Sequence, residues 1–312
     1  YRELINLNAI MNLPKGTEHF MSDLHGEYDA FYHIINNCSG VIKEKVAMLY
    51  GDELTVFEQQ ELCTLIYYPR EKLSILMEEN KVTDEWYRNV LGQLIQIAKL
   101  LSSKYTRSKV RKAMPVDFAY VIDELIHAQK DEDDNRSVYH RQIMETILSL
   151  HNGDEFLIAL TDLIKRLAVD HLHILGDIYD RGPHADKILD LLMEHHSVDI
   201  QWGNHDILWM GAFCGNPVCM ALVVRNNIKY KTISILENGY GISLRFLLQF
   251  AVKTYSDKNV DDAVYKAISV ILFKLEGQLI KRHPEYRMEG RLLLDKMDLD
   301  KGIVRIGDKE YF

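Results

Sequence analysis

The 312-residue sequence has only four cysteines, Cys38, Cys63, Cys214 and Cys219, and no two of them form a CxxC pair. That scatter reads as reduced, mostly buried thiols and argues against a cysteine-rich metal site or a disulfide framework. A basic excess is also missing, with 37 Lys plus Arg against 46 Asp plus Glu and a net charge of -9. The chain therefore has no general electrostatic pull toward nucleic acid or an anionic membrane, whereas its carboxylates suit the holding of cations. No apolar run approaches the roughly 18 residues of a spanning helix. The opening "YRELINLNAI" has no signal-peptide pattern. Neither an internal repeat nor a low-complexity tract interrupts the chain. These absences predict a cytoplasmic protein with no membrane or nucleic-acid partner. The first residue is Tyr1 rather than Met, so a longer natural N-terminus is expected.

Hydrophobic residues make up 47% of the chain, enough to bury the core of one large domain or two ordinary ones. Strand, polar loop and helix follow one another three times. "EHFMS" stops at "DLHGE", and Tyr28, Phe31, Ile34, Ile35 and Cys38 then recur at helical spacing. "HLHILGD" ends at Asp177, after which Pro183 opens a helix carrying Ile188, Leu189, Leu191 and Leu192. "VDIQW" ends at "GNHD", and "ILWMGAF" reads as the next helix. This alternation predicts an α/β sheet whose ligands gather beyond the carboxyl ends of the strands, where all three polar loops lie. Residues 44–168 read as helices, in "VFEQQELCTLIYY", "EWYRNVLGQLIQIAKLL", "DFAYVIDELIHAQ" and "RQIMETILSL", with breaks at Pro69, Pro115 and "KDEDDN" (130–135). They predict a helical insertion that covers or flanks the sheet. Helical pattern returns over 217–283, and "GIVRIGDKEYF" alternates like a strand. The basic stretch "KYTRSKVRK" reads either as a solvated loop between helices, balanced by the acidic run that follows it, or as an approach to a phosphorylated substrate.

The chemistry is concentrated in three clusters: Asp23-Leu24-His25-Gly26, Gly176-Asp177-Ile178-Tyr179-Asp180-Arg181-Gly182, and Gly203-Asn204-His205-Asp206. Two carboxylates, an imidazole and an amide oxygen make a mixed N/O donor set suited to Mn, Fe, Zn or Mg. Asp177, in the central cluster, is placed to bridge two ions about 3.5–4 Å apart. Asp23 and His25 then serve one ion and Asn204 the other. Such a pair makes water nucleophilic near neutral pH and stabilises in-line displacement at phosphorus. Arg181 can fork onto phosphate oxygens, and His205, oriented by Asp180, can protonate a leaving alkoxide. Gly-Asp-x-x-Asp-Arg-Gly fixes five positions, and a chance match in a chain of this length is on the order of 10⁻⁴. Helix capping by Asp23, Asp180 and Asp206 explains aspartates but not the histidines, Asn204 and Arg181 together. Elsewhere, His171 and His173 read as packed or surface residues, His184 as a supporting residue behind the loop, and His283 as a surface histidine.

The three clusters resemble the signature of the calcineurin-like metallophosphoesterases. Within them, "NLPKGTEHFMSDLHGEYDAFYHIINNCSG" and "HILGDIYDRGPHADKILDLLM", with the long helical insertion, resemble the class III fructose-1,6-bisphosphatases of Firmicute bacteria. That resemblance implies an α/β fold, part of a calcineurin-like sandwich, with core segments 1–43 and 169–312 and an all-helical insertion over 44–168. It implies two divalent ions, Mn²⁺ by preference, on Asp23, His25, Asp177 and Asn204, with His205, Asp180 and Arg181 as the catalytic residues. The implied reaction is hydrolysis of a small sugar phosphate, fructose 1,6-bisphosphate, in gluconeogenesis. A homo-oligomer is compatible with the sequence. The superfamily completes its site with further downstream histidines, whereas here only His283 follows Asp206. Family members run to roughly twice this length, so the chain is expected to match their N-terminal half and to hold metal with an open shell. A Ser/Thr phosphoprotein phosphatase shares two motifs. It differs in having Arg where Trp202 stands, Glu where Asp206 stands, and its first two motifs much closer together. A nucleotide polyphosphate hydrolase and a non-catalytic metal-binding scaffold are the remaining alternatives.

Overall fold

The computed structural model describes residues 1–128, 134–255 and 259–312. The chain is mixed α/β and mostly helical, and divides into two units. The first comprises Tyr1–Phe20, Asp29–His173 and His196–Asp199, and the second Met21–Tyr28, Ile174–His195 and Ile200–Phe312.

Three short strands, β1 (Glu18–Met21), β2 (His171–Ile174) and β3 (Val198–Ile200), form a sheet in the order β1-β2-β3. Thr17 O accepts from Asp170 N and Met21 O from Leu175 N, so pairing advances in the same sense along both strands and they are parallel. Leu172 and Ile174 are buried while His171 and His173 face the other way, the period-2 alternation of a strand. Each strand is followed in the chain by one of the polar clusters, as the alternation of apolar runs predicts.

Helices dominate the first unit. α1 (Arg2–Ile10) precedes the sheet, and α2 (Tyr28–Asn37), α3 (Val41–Tyr50), α4 (Val56–Tyr67) and α5 (Pro69–Glu78) follow β1. Then come α6 (Asp84–Ser102), α7 (Arg107–Ala113), α8 (Ala119–His127), α9 (Asp134–Ser149) and α10 (Gly153–Ala168). Their starts are locally encoded. Thr55 and Glu58 form a reciprocal capping box, Thr83 and Thr106 accept from backbone N–H groups, and Pro69 opens α5. α10 is the centre of this unit and packs against α6, α3, α4 and α5. Phe156, Leu157, Leu160, Leu163 and Ile164 on α10 meet Leu91, Leu94, Ile97 and Leu101 of α6 in one buried cluster. Truncating such a fully buried Phe costs about 3–5 kcal/mol. Residues 130–133 of the acidic break lie outside the described residues.

The basic stretch is helix α7 with its approach, and acidic partners neutralise it. Lys109 pairs with Asp170 at 2.5 Å, and Arg107 and Arg111 lie 3.1 and 3.9 Å from Asp123. The stretch is thus helical rather than a loop, and its acidic partners are Asp123 and Asp170 rather than the acidic run that follows it.

The second unit holds α11 (Ala185–Glu194), α12 (Asn204–Phe213), α13 (Pro217–Tyr230), α14 (Arg245–Thr254) and α15 (Val260–Arg282); α12 packs on α13, α14 on α15, and α13 on α15. Ala221, Ile228, Ala251, Val264, Ala267 and Leu272 form the core shared by α13, α14 and α15. α11 starts two residues after Pro183 rather than at it. The C-terminal segment read as one strand is a hairpin, because Gly307, at φ 59°, turns the chain between β5 (Ile303–Ile306) and β6 (Lys309–Tyr311). A short β4 (Met297–Asp298) pairs antiparallel with β5. The four thiols are free; Cys38 and Cys63 are buried, whereas Cys214 is exposed. Among the described residues no helix is long and apolar enough to cross a membrane.

Candidate active site

All three polar clusters fall in the second unit, and the backbone joins the first two directly. Asp23 N donates to Gly176 O at 3.2 Å, His25 N to Asp177 O at 2.8 Å, and Gly26 N to Ile178 O at 2.8 Å. In return Gly182 N donates to His25 O at 2.7 Å and His184 N to Gly26 O at 3.0 Å. His184 thus supports the loop through its backbone. Asp23, His25, Asp177, Asp180 and Arg181 all have φ between 44° and 75°. Left-handed backbone is costly for residues with a Cβ and gathers at functional sites, held there by the surrounding structure.

The third cluster meets the second through two glycines. A Cβ on Gly176, which has φ 84°, collides with Gly203 N, and a Cβ on Gly203 collides with Asp177 Oδ1. Glycine at both positions lets the strand ends approach closely. Gly203 has extended backbone and caps α12, so Asn204, His205 and Asp206 form its first helical turn rather than a loop.

Asp206 holds this arrangement together. Its carboxylate accepts four backbone N–H groups: Asp177 at 2.7 Å and Gly203 at 2.9 Å on Oδ2, Ile178 at 2.9 Å and Tyr179 at 3.2 Å on Oδ1. Helix capping, the alternative weighed for this residue, accounts for only the Gly203 contact. The residue's reach into the Asp177 loop has no signal beyond its place in "GNHD".

His25, Asp23 and Asp177 form one group of potential metal ligands, with donor atoms all within 4.8 Å of one another. His25 Nδ1 lies 3.2 Å from the Tyr179 carbonyl and donates to it. Its Nε2 is buried, has no hydrogen-bond partner among the described residues, and sits 3.7 Å from Asp23 Oδ1. A buried imidazole with one nitrogen satisfied by a carbonyl and the other presenting a lone pair beside carboxylates has the form of a metal-ligating histidine. The donors present therefore fit a divalent cation. Asn204 is exposed, between Gly203 and His205, whose N donates to Asp177 Oδ1 at 3.2 Å.

His205 stands edge-on to His25, ring centroids 5.3 Å apart. Its Nδ1 donates to Asp180 Oδ2 at 2.8 Å. Asp180 is 1% exposed and also accepts from Asn226 Nδ2 at 2.8 Å and Trp209 Nε1 at 3.0 Å. A carboxylate only accepts, so the ring proton is on Nδ1 and Nε2 is left for chemistry. Asn226 and Trp209 carry no motif that announces them. Tyr179 stacks on Trp209 at 4.3 Å and shares a 3.0 Å hydroxyl contact with Tyr240; burial pushes both phenols above their ordinary pKa. Arg181 is exposed and forms no ion pair among the described residues. His283 pairs with Glu285 at 2.8 Å on the surface, as expected.

A family model described as Firmicute fructose-1,6-bisphosphatase matches residues 1–312. Among curated proteins, the chain is 50% identical over 329 aligned positions to "Fructose-1,6-bisphosphatase class 3 1" of Clostridium beijerinckii, covering 99% of this chain and 50% of that protein. It is 51% identical to "Fructose-1,6-bisphosphatase class 3" of Clostridium tetani, covering 99% of this chain and 49% of the relative. The protein of that name from Listeria monocytogenes is likewise 51% identical, with 99% and 50% covered. The chain thus spans about half the length of the curated relatives it matches. No solved structure matches it. On sequence and motif alike, the chain belongs to the Firmicute fructose-1,6-bisphosphatase family.

Proposed function

We propose that this chain carries the catalytic loops of a cytoplasmic, metal-dependent phosphomonoesterase that converts fructose 1,6-bisphosphate and water to fructose 6-phosphate and phosphate, a step of gluconeogenesis. In this reading residues 1–43 and 169–312 belong to a calcineurin-like sandwich and 44–168 are its helical insertion. Asp23, His25, Asp177 and Asn204 would hold two divalent ions, with Mn²⁺ the ion favoured by the family resemblance. Two such ions, when bound, polarise a phosphoryl oxygen and lower the pKa of water.

The remaining work falls to the chain's own side chains. Arg181, exposed and unpaired among the described residues, grips two phosphate oxygens with its guanidinium fork and offsets the charge that builds on them. As water oxygen bonds to phosphorus and the ester P–O bond breaks, one water proton stays on the released phosphate, the other passes to solvent, and the departing sugar alkoxide needs a proton. Protonated His205 gives it from Nε2, while Asp180 holds Nδ1 and stabilises the imidazolium beforehand. Trp209 and Asn226 fix Asp180 so that the imidazole stays in one orientation. Asp206 keeps the Asp177 loop in its left-handed conformation.

One observation carries this reading: the buried, unpartnered Nε2 of His25 beside Asp23 and Asp177. The test is a substrate panel with Mn²⁺, run on the gene product that contains these residues. The panel comprises fructose 1,6-bisphosphate, a phosphoserine peptide and a nucleoside triphosphate. The expected result is a kcat/KM for the sugar bisphosphate at least ~10²-fold above the others, about 2.7 kcal/mol of discrimination. Preference for the peptide or the nucleotide overturns the substrate, and no turnover of any of them leaves a non-catalytic metal scaffold.

A further inference from the structure

A second donor set lies in the first unit, on the exposed face of β2 and β3. Period-2 geometry puts His171 and His173 side by side on one face of β2, ring centroids 4.4 Å apart. Asp199 on β3 receives both: His173 Nδ1 is 2.8 Å from Oδ1, and His171 Nε2 is 3.2 Å from Oδ2. The three donors lie within 4.8 Å of one another. Both imidazoles are fixed from behind. His171 Nδ1 is 2.6 Å from Ser197 Oγ, and Phe20 of β1 stacks on the His173 ring at 4.4 Å, 14° from parallel.

We propose that His171, His173 and Asp199 form a binding site for a borderline divalent transition-metal ion, Zn²⁺ foremost. The donor chemistry selects the ion: two imidazoles with one carboxylate suit Zn²⁺ or Co²⁺ and disfavour Mg²⁺ and Ca²⁺, which take oxygen. The spacing agrees. With Zn–N and Zn–O bonds of about 2.0–2.1 Å, a tetrahedral ion separates two of its ligands by about 3.3 Å. The observed contacts, 2.8 Å from His173 Nδ1 to Asp199 Oδ1 and 3.2 Å from His171 Nε2 to Oδ2, lie near that value, and a small turn of the exposed carboxylate presents one oxygen to both rings. Ser197 on the far nitrogen of His171 keeps that ring's Nε2 aimed at the carboxylate, the outer support typical of ligating histidines. Three protein ligands at a partly exposed surface leave a coordination position open to water or a small anion. The ion ties β2 to β3, so it stabilises the first unit when bound. The site shares no residue with Asp23, His25, Asp177 or Asn204 and does not depend on the proposed phosphatase activity.

The test uses the untagged chain with Asp23→Asn and Asp177→Asn to silence the loop site. Equilibrium dialysis then reads one tight Zn²⁺, and Co²⁺ gives visible ligand-field bands of a four- or five-coordinate ion. Adding Asp199→Asn weakens the binding at least ~10²-fold and abolishes the bands, as does His173→Ala. Asp199 is exposed, so its substitution leaves the fold intact by circular dichroism. Should the silencing pair unfold the chain, the same one-equivalent difference is read between the unsilenced chain and its Asp199→Asn variant. No Zn²⁺ bound to the silenced chain, or one equivalent that survives both Asp199→Asn and His173→Ala, overturns the proposal.

Discussion

Asp206→Asn removes the charge and half of the acceptor capacity of the residue that receives four backbone N–H groups from the Asp177 loop and Gly203. The new side chain fits the same space but keeps one oxygen. Whichever way it is turned, its NH₂ group faces two of the four donors, which are left without a partner. Hydrogen bonds to a charged acceptor are worth about 1.5–3 kcal/mol each. Losing two, with partial relaxation, costs the loop about 3 kcal/mol. At about 1.4 kcal/mol per tenfold, the amide protons of Asp177, Ile178, Tyr179 and Gly203 lose roughly 10²-fold of their protection against hydrogen exchange. Native-state exchange read on residues 176–182 and 202–206 measures this, while peptides of α6 and α10 report whether the first unit is unchanged. Protection of the loop within about threefold of the unaltered protein would refute Asp206 as the residue that holds it.

Gly176→Ala forces a Cβ into Gly203 N at a φ of 84° and is expected to destabilise the second unit by well over 1 kcal/mol, read as early cleavage in limited proteolysis. Asn226→Ala takes one of three hydrogen bonds from buried Asp180; kcat is expected to fall with KM nearly unchanged, since positioning of His205 and not substrate grip is lost. Burial, and then the charge of Arg166, hold His196 below its ordinary pKa of 6.5. The unfolded chain therefore binds the extra proton first, so this contribution to stability is present above pH 6.5 and is lost as the pH falls through the folded-state value. Urea melts between pH 7.5 and 5.5 should show that slope, and His196→Gln should flatten it. Burial pushes the Cys38 thiol to about 12, so a thiol reagent at mild alkaline pH is expected to label exposed Cys214 and spare Cys38 until the chain unfolds.

The three strands and the polar cluster after each were legible because short apolar runs stopped at polar clusters that carry glycine and aspartate, a pattern that needs no tertiary information. Asp23, His25 and Asp177 were likewise legible as a donor group, since residue type and position at strand ends suffice to bring them together. The roles of Asp206, Asn226 and Trp209 were not legible. Each depends on which atoms the fold brings near the Asp177–Asp180 loop, 29 positions earlier in the case of Trp209. The start of α12 was misjudged for a local reason. An extended Gly203 lets Asn204 begin the helix, so polar residues that look like loop form the first turn. The terminal hairpin was read as one strand because apolar and polar residues keep alternating through Gly307-Asp308, and only the positive φ of the glycine reveals the turn. That His171 and His173 both reach Asp199 was not legible, because Asp199 lies 28 and 26 positions further on and is joined to them only by strand pairing.

The claim that these loops form a metal-dependent phosphomonoesterase is tested most directly by reconstitution. The gene product containing these residues is stripped with a chelator, Mn²⁺ is returned, and phosphate release from fructose 1,6-bisphosphate is followed for the unaltered protein and for Asp177→Asn. The account predicts no turnover when stripped, recovery with Mn²⁺, and at least ~10²-fold less recovery in Asp177→Asn. Full turnover by the stripped protein, or equal recovery in Asp177→Asn, would contradict it.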